Sequence, residues 1–157
     1  MANLILIRHG QSVWNAANRF TGWTDIDLSP EGEEEAAEAG MKLAGNLIDR
    51  VHTSDLIRAQ RTAEIILKLN EASGDVPLRY DARLNERHYG SLQGLNKAET
   101  ADKHGAEQVR IWRRSFDVAP PGGESLEMTS ARTIPYFVEE IVPDLEQGLN
   151  VLVSAHG

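Results

Sequence analysis

The sequence predicts a three-layer α/β/α sandwich with a mostly parallel central sheet, in a single domain spanning residues 1–157. Three observations lead there. Two strongly apolar runs, Leu4-Ile5-Leu6-Ile7 and Val151-Leu152-Val153, lie near opposite ends and read as fully buried strands of the parallel-sheet kind. Amphipathic helical patterns separate the candidate strands, the alternation from which parallel sheets are built. The chain has 157 residues, 41% hydrophobic and 25% charged, without repeats, low-complexity tracts or linkers. That length and composition fit one globular domain.

The first strand ends in Arg8-His9-Gly10, and glycine there permits a sharp turn or a close ligand approach. A polar, aromatic loop follows from Gln11 to Ser29, carrying Ser12, Trp14, Asn15, Arg19, Thr21, Gly22 and Trp23. A loop this long within a compact domain is usually functional. Ser29-Pro30-Glu31 reads as N-cap, first-turn proline and first-turn acid. The helix beyond it places Ala36, Gly40, Leu43, Leu47 and Ile48 at helical spacing, and Glu31 to Glu38 form its solvated face.

Val51-His52-Thr53-Ser54 reads as a short strand closed by a capping residue, with His52 as a packed histidine. The next helix is expected from about Asp55 to Asn70. Arg58 falls in its first turn, where the helix dipole disfavours a cation, so it points to an anion that it helps to hold. Val76 to Tyr80 reads as a third strand, followed by a glycine-containing polar segment from Leu84 to Lys97. Helices are expected at Lys97–His104, stopped by Gly105, and near Glu107–Phe116, which contains Trp112-Arg113-Arg114. His104 reads as a structural residue at a helix end, and Trp14, Trp23 and Trp112 as core or lid packing. Ala119-Pro120-Pro121-Gly122-Gly123 forms a loop. A helix from Glu124 to about Leu145, kinked at Pro135, leads into the strand Asn150–Ala155, which ends in His156-Gly157.

Composition excludes several function classes. Sixteen basic against twenty-four acidic residues give a net charge of −8, which argues against a general nucleic-acid binder while allowing a local basic pocket. Without cysteine there are no disulfides or cysteine metal sites, which fits a reducing cytoplasm. The first apolar run stops at Arg8, too short for a signal peptide or membrane span.

Both apolar strands terminate in His-Gly. If both are central and parallel, His9 and His156 emerge at the same sheet edge, where α/β proteins bind ligands. Two imidazoles so arranged could hold a metal or handle a phosphoryl group. Metal ligation usually wants a third ligand, and no helix-spaced His/Glu pair is present. The companions are instead Arg8, Arg58, Arg113, Arg114 and Lys97, and arginine forks match phosphate oxygens. Phosphate is the better reading.

These residues resemble the histidine phosphatase superfamily, whose hallmark is Arg-His-Gly at the first strand. Over its whole length the chain resembles, more narrowly, the 2,3-bisphosphoglycerate-dependent phosphoglycerate mutases. The matching blocks are Arg8 to Asn15, Arg19 to Trp23, Thr53-Ser54 with Arg58-Ala59, and Leu84 to Gly90. Gly94 to Lys97, Trp112-Arg113-Arg114 and Pro120 to Ser125 complete the set. The resemblance implies interconversion of 3-phosphoglycerate and 2-phosphoglycerate in glycolysis and gluconeogenesis, through a phosphohistidine primed by 2,3-bisphosphoglycerate and without a metal. His9 is then the phosphate acceptor, Glu86 the proton donor and acceptor, and His156 the second imidazole on the phosphoryl group. Arg8, Asn15 and Arg58 match the pocket for the transferring phosphate. Thr21, Gly22, Arg87, His88, Tyr89, Lys97, Arg113, Arg114 and Gly157 match positions that bind the rest of the substrate. A cytoplasmic homo-oligomer, dimer or tetramer, with no nucleic-acid or membrane partner, is expected.

The chemistry agrees. Attack on phosphorus requires His9 unprotonated, and neighbouring arginines disfavour the imidazolium. Two alternatives remain: a phosphatase acting on a small phosphorylated metabolite, with water as acceptor, and a non-catalytic phospholigand-binding domain. Members of the family continue past this His-Gly with an asparagine and a helix. The sequence is therefore expected to be an incomplete version of a longer protein, and a chain truly ending at Gly157 is expected to have severely reduced mutase activity.

Overall fold

A computed structural model describes the whole chain, Met1–Gly157. Strands β1 (Leu4–Arg8), β2 (Arg50–Thr53), β3 (Leu78–Tyr80) and β4 (Val151–Ala155) form one parallel sheet in the order β1-β4-β2-β3. Helices α2 (Pro30–Leu43) and α3 (Ile57–Lys68) cover one face, where Ile48, Val51, Ala63, Ile66 and Leu152 form a core. The other face is covered by α6 (Leu126–Tyr136), a π-helical turn (Phe137–Ile141) and α7 (Val142–Glu146), over Leu84, Tyr136, Ile141, Val151 and Val153. A short helix α1 (Val13–Ala16) follows β1, and α4 (Lys97–His104) and α5 (Ala106–Arg114) pack as a pair. Their side of the molecule has its own small core of Phe20, Leu92 and Val109, which receives Tyr89 and Trp112.

The three layers are those the apolar runs predict, with one difference. β1 is an edge strand and not buried on both faces: Ile5 and Ile7 pack into the α2/α3 core, while Leu4 and Leu6 are exposed, Leu6 by 67%. The second helical layer lies over β4 and β2, so an apolar run alone did not reveal which face of β1 is covered. β4, paired on both sides, is buried from Val151 to Ser154.

Local signals worked where they rest on capping chemistry. Ser29 Oγ accepts from Gly32 N–H at 3.1 Å to start α2. Gly105, at φ +88°, ends α4 at His104. Gly10 is demanded by close approach: a Cβ there would lie 2.1 Å from the Gly32 carbonyl oxygen. The expected long helix after Glu124 instead divides at the π-helical turn. Pro135 has no N–H and crowds the preceding turn, so a wider turn follows directly.

Candidate active site

Register brings the two histidines together. Arg8 pairs with Ala155 across β1 and β4, so His9 and His156 leave the sheet at the same edge. Their ring centroids are 5.0 Å apart. His9 is only 7% exposed, and its backbone N–H donates to the Ala155 carbonyl at 3.0 Å. Its Nδ1 lies 2.6 Å from the Gly10 carbonyl oxygen. A carbonyl can only accept, so Nδ1 carries the proton and Nε2 keeps the lone pair.

The ring stays neutral near pH 7. Burial is the main cause, pushing the His9 pKa down to about 4, with Arg58 and Arg8 adding repulsion against the Gly10 hydrogen bond. Desolvation thus outweighs the arginines that the sequence pointed to. His156 is pushed well below the ordinary histidine range, first by burial and then by Arg58.

Arg58 is fully buried. Its Nη2 donates to Glu86 Oε2 at 2.6 Å and to the Gly22 carbonyl at 2.7 Å, and its Nη1 to the Thr24 carbonyl at 3.2 Å. This leaves Arg58 Nε buried without a partner. Glu86 is fixed from its backbone as well, since its carbonyl accepts from Trp23 Nε1 at 2.7 Å and Arg132 Nη2 at 2.9 Å. Arg132 also bonds the Asn85 and Arg83 carbonyls and pairs with Glu124.

Glu86 lines a cavity of about 150 Å³. Its lining includes Arg8, Asn15, Thr21, Glu86, Tyr89, Lys97, Arg113, Arg114 and Gly157, all expected from sequence, together with Arg19 and Phe20. An adjoining space shares Arg8, Asn15 and Lys97 and reaches His9. Five cations therefore face one carboxylate in a chain whose net charge is −8. Burial and the nearby Arg113 lower the Lys97 pKa. Thr21 Oγ1 and Arg58 Nε are buried polar atoms without protein partners. Such donors fit a polyanion and would otherwise be costly to bury.

Arg58, His156, Gly22, Arg87 and His88 do not line this cavity; His156 lines a separate space with Glu86, Arg87 and Gly157. Gly22 offers its carbonyl to Arg58. Arg87 is 5% exposed, stacks on Tyr89 and donates to the Arg113 carbonyl. His88 packs on Trp23, and its Nδ1 accepts from Gly90 N–H at 2.9 Å. His52 is packed, as expected, with Nδ1 2.7 Å from the Tyr136 hydroxyl and Nε2 3.1 Å from Asp144. Arg19, named from sequence in the polar loop and in a matching block but given no role there, lines the cavity. Ser54 was legible as a capping residue and in a matching block, but its contact with His156 and those of Arg132 join residues distant in sequence, for which no local signal exists.

His9, Glu86 and His156 present ligand-type atoms within 4.8 Å of one another. With Arg58 on Glu86 and Arg8 beside His9, this corner disfavours a divalent cation and favours an anion.

Three neutral buried imidazoles have a thermodynamic consequence. The pKa values of His9, His52 and His156 all lie below the ordinary value. The unfolded chain takes up these protons near pH 6.5, as pH falls, and the folded chain only lower, for His9 at about 4. The unfolded state therefore binds more protons between those values, so stability is full above about pH 6.5 and falls on acidification. Urea unfolding midpoints should be lower at about pH 5 than at about pH 7.5. Equal midpoints would contradict the buried-neutral assignment.

Residues 4–157 match the family described as histidine phosphatase superfamily (branch 1). The chain is 56% identical over 157 residues to 2,3-bisphosphoglycerate-dependent phosphoglycerate mutase 2 of Gloeobacter violaceus, a match covering 100% of this chain and 71% of that one. Its structure is similar to mycobacterial glucosyl-3-phosphoglycerate phosphatase in complex with VO3, with TM-score 0.87 and 32% identity over 100% of this chain and 77% of that one. It is also similar to phosphoglycerate mutase from Bacillus anthracis, with TM-score 0.84 and 28% identity over 99% and 75% of the two chains. With the Arg8-His9-Gly10 strand end, the paired imidazoles and the Glu86–Arg58 pair in place, the chain belongs to the histidine phosphatase superfamily and, within it, to the 2,3-bisphosphoglycerate-dependent phosphoglycerate mutases.

Proposed function

We propose that this protein interconverts 3-phosphoglycerate and 2-phosphoglycerate, in glycolysis and gluconeogenesis, by passing a phosphoryl group through His9. The observation that carries this reading is the His9 ring itself. Nδ1 is committed to the Gly10 carbonyl, burial keeps the ring neutral, and Nε2 is left as nucleophile beside a cation-lined cavity. 2,3-Bisphosphoglycerate, when bound, supplies the phosphoryl group that primes His9. Arg113, Arg114, Lys97 and the unpartnered Thr21 Oγ1 line this cavity and suit its phosphates and carboxylate.

From the primed state, a substrate hydroxyl oxygen attacks phosphorus as the bond from Nε2 breaks and its electron pair returns to the ring. Glu86 takes the hydroxyl proton. Arg58 holds Oε2 and leaves Oε1 without a protein partner for this task. After the bisphosphorylated molecule turns round, Nε2 takes its other phosphoryl group, and Glu86 returns the proton to the leaving oxygen. Arg8, Arg58 and His156 spread the charge on the phosphoryl oxygens, so no metal is required in this reading. Asn15, Thr21, Tyr89, Lys97, Arg113, Arg114 and Gly157 hold the rest of the substrate. Gly22, Arg87 and His88 support it from behind, through Arg58, Arg113 and the segment around Glu86.

No helix is long and apolar enough to cross a membrane. A cytoplasmic location and the absence of nucleic-acid or membrane partners complete the proposal, supported by the acidic net charge and the absence of cysteine; a homo-oligomer acting on small phosphoglycerates is what membership of the mutases implies.

A coupled assay with 3-phosphoglycerate tests the reading. The full-length protein should isomerise it, faster when 2,3-bisphosphoglycerate is added, and release little inorganic phosphate. Glu86→Gln should lower kcat by roughly 10²–10⁴-fold, the usual worth of a positioned acid-base group. Phosphate release as the main reaction, or an unaffected Glu86→Gln enzyme, would overturn it.

A further inference from the structure

The function above needs His156 to meet a phosphoryl oxygen, yet an imidazole can do so either with an N–H or with a lone pair. Only the first attracts. The hydrogen-bond inventory around Ser54 decides between them.

Ser54 sits just past β2, fully buried. Its hydroxyl oxygen accepts from Leu56 N–H at 3.2 Å, a local turn that fixes the side chain. The same oxygen lies 2.8 Å from His156 Nε2. The hydroxyl has one proton to donate, and within hydrogen-bond distance His156 Nε2 is its one acceptor. We infer that Ser54 donates to Nε2 and thereby holds His156 in the tautomer protonated at Nδ1, making Ser54 a positioning residue for phosphoryl transfer. This inference rests on the site reading given above for what it does in turnover, and on geometry alone for the tautomer.

The remaining contacts agree. His156 Nδ1 is buried and has no hydrogen-bond partner. Glu86 Oε2 is 3.8 Å away, too far for a hydrogen bond and already engaged by Arg58. The Nδ1 proton is thus a donor kept free beside His9, whose ring centroid is 5.0 Å away. The two rings share one tautomer and serve opposite ends of one reaction. His9, with Nδ1–H on the Gly10 carbonyl, offers the Nε2 lone pair to phosphorus. His156, with Nε2 on Ser54, offers Nδ1–H to a phosphoryl oxygen. With the opposite tautomer, His156 would set a lone pair against that oxygen, and the preorganised donor would be lost.

Ring-nitrogen NMR of the full-length protein, labelled with ¹⁵N at histidine, reads the tautomer without any turnover. The expected result near neutral pH is a His156 ring protonated at Nδ1, with Nε2 in the shift range of a hydrogen-bonded lone pair. In Ser54→Ala the Nδ1-protonated form should lose its dominance. Its kcat should fall about 10–100-fold, the usual range for removing a group that orients a catalytic side chain, with KM for 3-phosphoglycerate little changed. Ser54→Thr, which keeps the hydroxyl, should recover the wild-type ring signature and most of kcat. A wild-type His156 protonated at Nε2, or a Ser54→Ala enzyme with unchanged kcat, overturns the inference. A protein with the expected tautomer that fails to isomerise phosphoglycerate would instead refute the function reading, so the two failures are distinct.

Discussion

His9→Ala is expected to lower mutase turnover to background, a loss on the order of 10⁴-fold or more. His9 is the one imidazole whose Nδ1 is tied to a carbonyl, and it lines a space shared with Arg8 and Lys97. His156 cannot replace it, because its Nε2 is engaged by Ser54. Substrate affinity should change much less, since the cationic lining of Arg8, Lys97, Arg113 and Arg114 is untouched. Calorimetric binding of 3-phosphoglycerate alongside the coupled assay separates the two effects. Turnover within about 100-fold of wild type would remove His9 from its role.

The second large effect is expected at Arg58. This guanidinium is fully buried and satisfies three acceptors, the Gly22 and Thr24 carbonyls and Glu86 Oε2. Arg58→Met keeps much of the volume but leaves two carbonyls and a carboxylate without their donor. Breaking a buried pair costs about 3–5 kcal/mol when the surviving charge is sealed from water. The Glu86 side chain remains 20% exposed, so a loss of roughly 2–4 kcal/mol is expected here. Turnover should fall about 10²–10³-fold, as for other preorganised donors. Arg58→Lys keeps the charge but not the fork, and should recover part of the stability and little of the rate. Urea unfolding and kcat on both variants check this. A Met variant as stable as wild type would show that the pair contributes nothing to the fold.

How much of this was legible beforehand follows from the range of the interactions. His9 and His156 stood out because each ends an apolar run, and parallel register alone then carries both to one edge. Ser29, Pro30 and Gly105 announced helix ends because capping is local chemistry. Arg58 drew notice as a cation at the wrong end of a helix. Its complete burial depended on carbonyls from the loop before α2 and on Glu86, which no periodicity encodes. β1 is covered on one face only. Leu4 and Leu6 are as apolar as Val151 and Val153, and the difference lies in which strand the α6–α7 layer covers. Arg132 was invisible in sequence because its partners, the Arg83, Asn85 and Glu86 carbonyls, lie some fifty positions away. Burial also changed a cause: the sequence credited arginines with keeping His9 neutral, whereas desolvation does most of it.

In the proposed function, His9 carries a phosphoryl group between phosphoglycerates and does not pass it to water. Incubation of the full-length protein with 2,3-bisphosphoglycerate labelled in its phosphates, followed by an unlabelled 3-phosphoglycerate chase, follows that group directly. The expected result is acid-labile, alkali-stable label on the wild-type protein, none on His9→Ala, and transfer of the label into phosphoglycerates during the chase. Label that appears as inorganic phosphate, or a wild-type protein that takes up none, would contradict it.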